Sequence, residues 1–148
     1  MYNSVLLAEY LISLANSQGV LLNMTKVQKL LYIMYGSLLS KKGRLISDES
    51  PKAWPFGPVF PKVHKRVDLK KVKPLNHCDF DIIKDDEEIT DVIYSVIEKF
   101  SKFSATQLSD WSHIEDSPWD LTTKEKGFKW NSPISTDLIV DYFSKFDI

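Results

Sequence analysis

The side chains best placed to do chemistry lie in one short run: Ser109, Asp110, His113, Glu115 and Ser117. On a helix, Ser109 and His113 are four residues apart and share a face, the spacing a Ser–His nucleophile–base pair would use. No segment supplies an evident oxyanion hole beside them, and Trp111 and Trp119 flank His113. The competing reading is a packed aromatic corner, in which His113 bonds a buried backbone or serine group and locks the turn before Pro118. His64, His77 and His113 form no HxxxH or HExxH pair, and no GxSxG, P-loop or GxGxxG pattern occurs. Cys78 adjoins His77, but neighbouring side chains of an extended segment point apart, so the two do not read as a nucleophile pair. The acidic run Asp85, Asp86, Glu87 and Glu88 lacks EF-hand spacing and suits the positive end of a helix dipole. A single cysteine excludes an intramolecular disulfide and a Cys-rich zinc site. No catalytic residue, cofactor or metal ligand is expected.

Binding is better represented than catalysis. Between residues 62 and 73, Lys62, Lys65, Arg66, Lys70, Lys71 and Lys73 stand against one acid, Asp68. Such a stretch suits a phosphate backbone or an acidic protein. It has no interleaved aromatic residues on its outer face, and the whole chain has a pI of about 6.3, so the usual basic footprint of a nucleic-acid domain is missing. A solvated face, or a dock for an acidic partner, competes with that reading.

The elements that must position these groups are mostly helices. Val5, Leu6, Leu7, Tyr10, Leu11 and Leu14 have helical spacing, with Asn3 or Ser4 as cap and Gly19 as stop. Thr25 with Gln28 reads as a capping box opening a second helix, whose stripe is Val27, Leu30, Leu31, Met34 and Leu38. Lys26, Lys29, Lys41 and Lys42 fall off that stripe, and Gly43 ends it. Residues 44–58 carry prolines and Gly57, which forbid a long helix. They read as an ordered loop with room for one small β-hairpin, Arg44–Ile46 and Lys52–Trp54 being extended pieces. Trp54 and Phe56 are apolar enough that the loop should be pinned to the core. A basic helix is expected over 59–71, a short strand within 75–84, and an amphipathic helix over 87–100. Ser104 with Gln107 is another capping box, for a helix to about Ile114, and Ser117 caps one that starts at Pro118. Leu138, Ile139, Tyr142 and Phe143 place a last helix at about 135–146. The expectation is a mainly α, compact single domain over residues 1–148, with six or seven short helices.

The 148 residues suit one domain, and 43% hydrophobic content is too rich for disorder. No run of 18 apolar residues is present, and the N-terminus carries Glu9 within its apolar stretch rather than a basic signal-peptide start. A cytoplasmic location is expected. The net charge of -1 hides an asymmetry: residues 1–74 hold 12 Lys/Arg and 4 Asp/Glu, whereas 75–148 hold 7 and 16. Either the halves pack with complementary charge or one of them presents a charged interaction face.

Three segments in order, KLLYIMYG (29–36), AWPFGPVFPKVH (53–64) and LSDWSHIEDSPW (108–119), resemble the Panacea domain family, also called SocA-like or GepA-like and phage-associated. The resemblance spans about residues 5–145. It departs at Ser112, where the family usually has Thr, and at Phe56, where Tyr is common. The resemblance implies an antitoxin that binds and neutralises a cognate toxin protein and has no enzymatic activity. It also implies possible delivery of that toxin to a ClpXP-type protease. With the first helix beginning by residue 4, DNA autoregulation through an N-terminal module is not expected. Tyr32, Tyr35, Trp54, Lys65 and Arg66 are the candidate partner contacts, since amphipathic Tyr at a groove edge often anchors interfaces. For the two tyrosines, core packing is the alternative. Lys29, Leu30, Gly57, Pro58, His113, Pro118 and Trp119 read as structural parts of the motif. A nucleic-acid binder or phage-associated regulator acting through 62–73 is the alternative function.

Overall fold

The computed structural model describes residues 1–146. It is mainly α, with eight α-helices and one two-stranded hairpin among the described residues. Helix α1 (Ser4–Ser17) is capped by Asn3, whose side chain accepts from Val5 N–H, and Gly19 follows its end with φ +75°. Helix α2 (Met24–Lys42) is the axle of the fold: every residue from Val27 to Leu39 is buried. A helix buried on all sides must have neighbours on all sides. It packs against α1, against α5 (Glu87–Phe100), α6 (Ala105–Ser112) and α8 (Thr136–Phe143), and against the hairpin.

The hairpin joins β1 (Lys52–Trp54) to β2 (Gly57–Val59), antiparallel, with Trp54 opposite Gly57 and Pro55–Phe56 as the turn. Arg44–Ile46 takes no part in it. That stretch runs beside the N-terminus instead, where Tyr2 N–H donates to Ile46 O (2.8 Å) and Asp48 N–H to Tyr2 O (2.9 Å).

Several elements differ from expectation, each for a visible reason. The cap of α2 is Asn23, whose side-chain Oδ1 accepts from Lys26 N–H (2.9 Å); Thr25 and Gln28 form no capping box because Gln28 turns inward. The basic helix α3 (Pro61–Arg66) is half its expected length. Val67 leaves helical geometry, and the Asp68 carboxylate accepts from Lys70 N–H, an Asx turn that diverts the chain. The stretch 75–84 is not a strand. It is a 3-10 turn (Cys78–Phe80) running into α4 (Asp81–Lys84), with Phe80 and Ile83 buried three apart while Ile82 is 67% exposed. Helix α4 is the element that raises the count to eight. The capping box at Ser104 and Gln107 forms as expected, and Ser117 caps α7 (Pro118–Thr123) with Pro118 at its first position.

Helix α8 docks on α2 at one tight point. A Cβ on Gly36 would lie 2.3 Å from ring carbons of Phe143, so this close crossing requires glycine. The two oppositely charged halves are also joined directly. Arg44 forks onto Asp86, Nη1 reaching Oδ1 at 2.9 Å, and also reaches Glu88 at 3.0 Å; Tyr2 Oη donates to Asp86 at 2.7 Å. No helix among the described residues is long and apolar enough to cross a membrane.

Candidate functional site

The hairpin lies, but for Lys52, within the second motif segment, and residues of or beside the other two, with Asn131, hold its backbone from outside. Gln28 bonds Phe60 in both directions, its amide donating to Phe60 O (3.1 Å) and its carbonyl accepting from Phe60 N–H (2.8 Å). Lys29 Nζ donates to Pro58 O at 3.0 Å. Ser109 Oγ donates to Phe56 O (2.8 Å), and Trp119 Nε1 to Trp54 O (2.7 Å). Asn131, in left-handed backbone at φ +73°, accepts from Trp54 Nε1 at 2.9 Å and donates its own N–H to Ala53 O at 2.9 Å. Gly57, at φ +117°, is the close approach: a Cβ there would stand 2.4 Å from Ser112 Oγ and 3.2 Å from Lys29 Cε.

Lys29 is the most unusual of these groups. It is only 2% exposed, and burial pulls its ammonium down to about 8. Its described acceptor is a carbonyl oxygen rather than a carboxylate. A lysine here lies inside the core rather than beside the stripe of α2, as its spacing suggests. The all-round burial of the helix is the reason.

The candidate contacts separate into two groups. Tyr32 and Tyr35 are 1% and 3% exposed, so they are core residues and not the edge of a groove. Tyr32 stacks edge-on with Phe143 (5.2 Å between centroids) and Tyr35 with Phe60 (5.6 Å). Trp54 is half-buried, and Lys65 and Arg66 are exposed on α3. Trp54 is linked to α3 by an edge contact with the His64 ring, 5.0 Å between centroids. Leu30 and Pro58 are buried, as are Gly57 and Pro118. His113 packs on Trp119 (5.2 Å), but its buried Nδ1 has no hydrogen-bond partner, so it does not lock the corner by hydrogen bonding. Ser109 Oγ is committed to Phe56 O, which leaves the Ser109–His113 pair without the mutual bond that nucleophilic chemistry would use.

Phe56, like Tyr32 and Tyr35, lies where sequence reasoning did not put it. Far from being pinned to the core, it is 77% exposed at the hairpin tip, while its carbonyl is what Ser109 holds. A two-residue turn between Trp54 and Gly57 offers its side chain no inward direction. Beside it an open groove of about 560 Å³ runs along α6, lined by Thr25, Pro55, Thr106, Asp110 and His113. Trp130, at 55% exposure, is a second missed aromatic, stacked against Phe128 and Trp119. On the other flank, Lys65, Arg66, Lys70 and Lys71 form no ion pair among the described residues, whereas Lys62 pairs with Asp48 at 2.6 Å. The hairpin face therefore combines a fixed backbone, a projecting aromatic ring and unpaired positive charge.

Comparison with known proteins gives two matches. A family model described as "Antitoxin SocA-like, Panacea domain" matches residues 27–120, the span from the first turn of α2 to the start of α7. That span contains each hairpin-holding donor except Asn131. The chain is also similar to the Antitoxin SocA of Caulobacter vibrioides (strain NA1000 / CB15N), 30% identical over 131 residues, covering 81% of this chain and 70% of that protein. No solved structure matches.

Proposed function

This chain belongs to the SocA-like Panacea domain family, and from that premise we propose that it acts as an antitoxin, binding a cognate toxin through the hairpin face. The observation that carries the reading is Phe56. An aromatic side chain left 77% exposed normally forfeits its burial energy, yet here the backbone beneath it is tied by donors from α2, α6 and α7. A rigidly presented aromatic loses little conformational entropy on binding, which is what a hot spot requires. Trp54 extends the face towards α3, which it touches at His64, and the unpaired charge of Lys65 and Arg66 on that helix favours an acidic partner surface. Delivery of the bound toxin to a ClpXP-type protease is a further step of the same proposal.

The test begins with a tagged pull-down from the native host and expression of the co-eluting protein alone. A stoichiometric partner that is toxic by itself is the expected result. Phe56→Ala combined with Arg66→Glu should then abolish rescue while the circular dichroism spectrum and Tm stay unchanged. Full rescue by that double variant would remove this face. Tyr35 is unsuitable for such a test, because replacing a core residue would report on folding. Protease delivery predicts that the toxin's half-life lengthens in a strain lacking the protease.

The second reading, nucleic-acid binding through residues 62–73, rests on the same unpaired Lys65, Arg66, Lys70 and Lys71. The shortness of α3 counts against it, since the charges lie partly on a helix and partly on a loop rather than along one stripe. Retention on DNA at about 50 mM salt, falling steeply as salt rises, would support it.

A further inference from the structure

The geometry points to a binding site for a zinc-class divalent cation formed by His77, Cys78 and Asp79. Consecutive residues rarely converge. Here they do so because His77 is the extended cap of a 3-10 turn, at φ -64° and ψ 140°, and its ring folds back to accept from the Asp79 amide, the second of the turn. His77 Nδ1 lies 4.0 Å from Cys78 Sγ and 3.6 Å from Asp79 Oδ1, and Sγ lies 4.0 Å from the same Oδ1. A point equidistant from three atoms so spaced is about 2.2 Å from each, within the range of zinc–sulfur, zinc–nitrogen and zinc–oxygen bonds.

The turn is fixed in place rather than free. His77 N–H donates to Pro74 O (2.9 Å), and Phe80 N–H to His77 O (3.1 Å). Phe80 is 1% exposed and stacks on Tyr10 at 5.3 Å, and Ser13 Oγ holds Lys73 O at 3.0 Å. A soft thiolate with one imidazole and one carboxylate is a donor set suited to zinc or cobalt, and it disfavours magnesium and calcium. Exposure of Cys78 leaves a fourth position for water. Binding exchanges two existing interactions. His77 Nδ1 gives up the Asp79 amide it now accepts from at 3.1 Å, and the Cys78 thiol loses its proton to solvent as the metal–sulfur bond forms. Lys73 pairs with the other oxygen of Asp79, Oδ2, so Oδ1 remains available, though the ammonium opposes a cation.

The test is titration of the reduced full-length chain with Co²⁺, followed by the near-ultraviolet sulfur-to-cobalt charge-transfer band. One equivalent should saturate the band, and Zn²⁺ should abolish it by displacement. Cys78→Ser should eliminate the band, while His77→Gln and Asp79→Asn should each weaken binding about tenfold or more. Lys73→Met, which removes the opposing charge, should tighten it. A second readout needs no variant: Zn²⁺ should slow alkylation of Cys78, the chain's single cysteine, by iodoacetamide. No charge-transfer band at about 100 µM Co²⁺, or alkylation unaffected by Zn²⁺, would overturn the assignment. So would a band that survives in Cys78→Ser.

Discussion

Lys29 shows how much one side chain can bias this fold. Its ammonium sits in the core, pulled down to about 8 from an unfolded value near 10.4. Between those values the unfolded chain binds more protons than the folded one, so stability rises with pH. Below about 8 the full penalty applies. Above 10.4 it is gone. Tyr32, Tyr35 and Tyr142 act in the opposite sense, because burial raises their pKa and unfolded tyrosines ionise first at high pH. The comparison must therefore be with Lys29→Met, which keeps those tyrosines. Relative to that variant, the wild type should gain about 2 kcal/mol between pH 7 and pH 9.5. Urea denaturation at both pH values measures it, and a constant difference would mean that the Lys29 ammonium keeps its unfolded-state pKa in the folded chain.

At the scale of elements, the contact of α8 with α2 is the sharpest packing constraint. Gly36→Ala should cost about 2–3 kcal/mol by pushing Phe143 off its site. Phe143→Ala should cost about 3–5 kcal/mol through the cavity it leaves. Combined, they should cost at least about 1 kcal/mol less than their sum, because the second change removes the clash of the first. A urea-denaturation cycle reads the coupling; strict additivity would show that α8 does not seat Phe143 on Gly36. Elements governed by local signals were legible in advance. The caps at Asn3, Ser104 and Ser117 and the stripe of α5 follow from neighbours two to four residues away. Residues answering to distant partners were not. Thr25–Gln28 shows the same capping-box spacing as Ser104–Gln107, but Gln28 finds a backbone 32 residues away. Amphipathic tyrosines likewise carry no local sign of whether core or groove will receive them. Tyr32 and Tyr35 went to the core, and the exposed position went to Phe56.

Across the whole molecule, the charge asymmetry resolves partly into an internal clasp. Arg44 from the basic half holds Asp86 from the acidic half, and that fork keeps the Asp86 carboxyl well below the usual carboxylate range. A depressed carboxylate pKa contributes stability above the unfolded value, about 3.9, and loses it as pH falls through the folded one. Arg44→Leu should cost about 1–2 kcal/mol at pH 7, and the difference should begin to shrink below about pH 3.9, so that it is smaller at pH 3. Urea midpoints at the two pH values test it, and an equal loss at pH 3 would show that Arg44 acts by packing instead. Lys65, Arg66, Lys70 and Lys71 are among the basic residues that the clasp leaves over. The hairpin's outside donors also set an order of assembly. They lie 29 to 78 residues away along the chain, so the turn that carries Phe56 cannot be fixed early in folding. A nascent chain ending before Trp119 and Asn131 has the hairpin's sequence without its shape. On the antitoxin reading, competence to bind arrives only once Trp119 and Asn131 are in place. On that reading a truncated or misfolded copy offers no partial protection, and the supply of neutralising molecules counts only chains that were finished and folded.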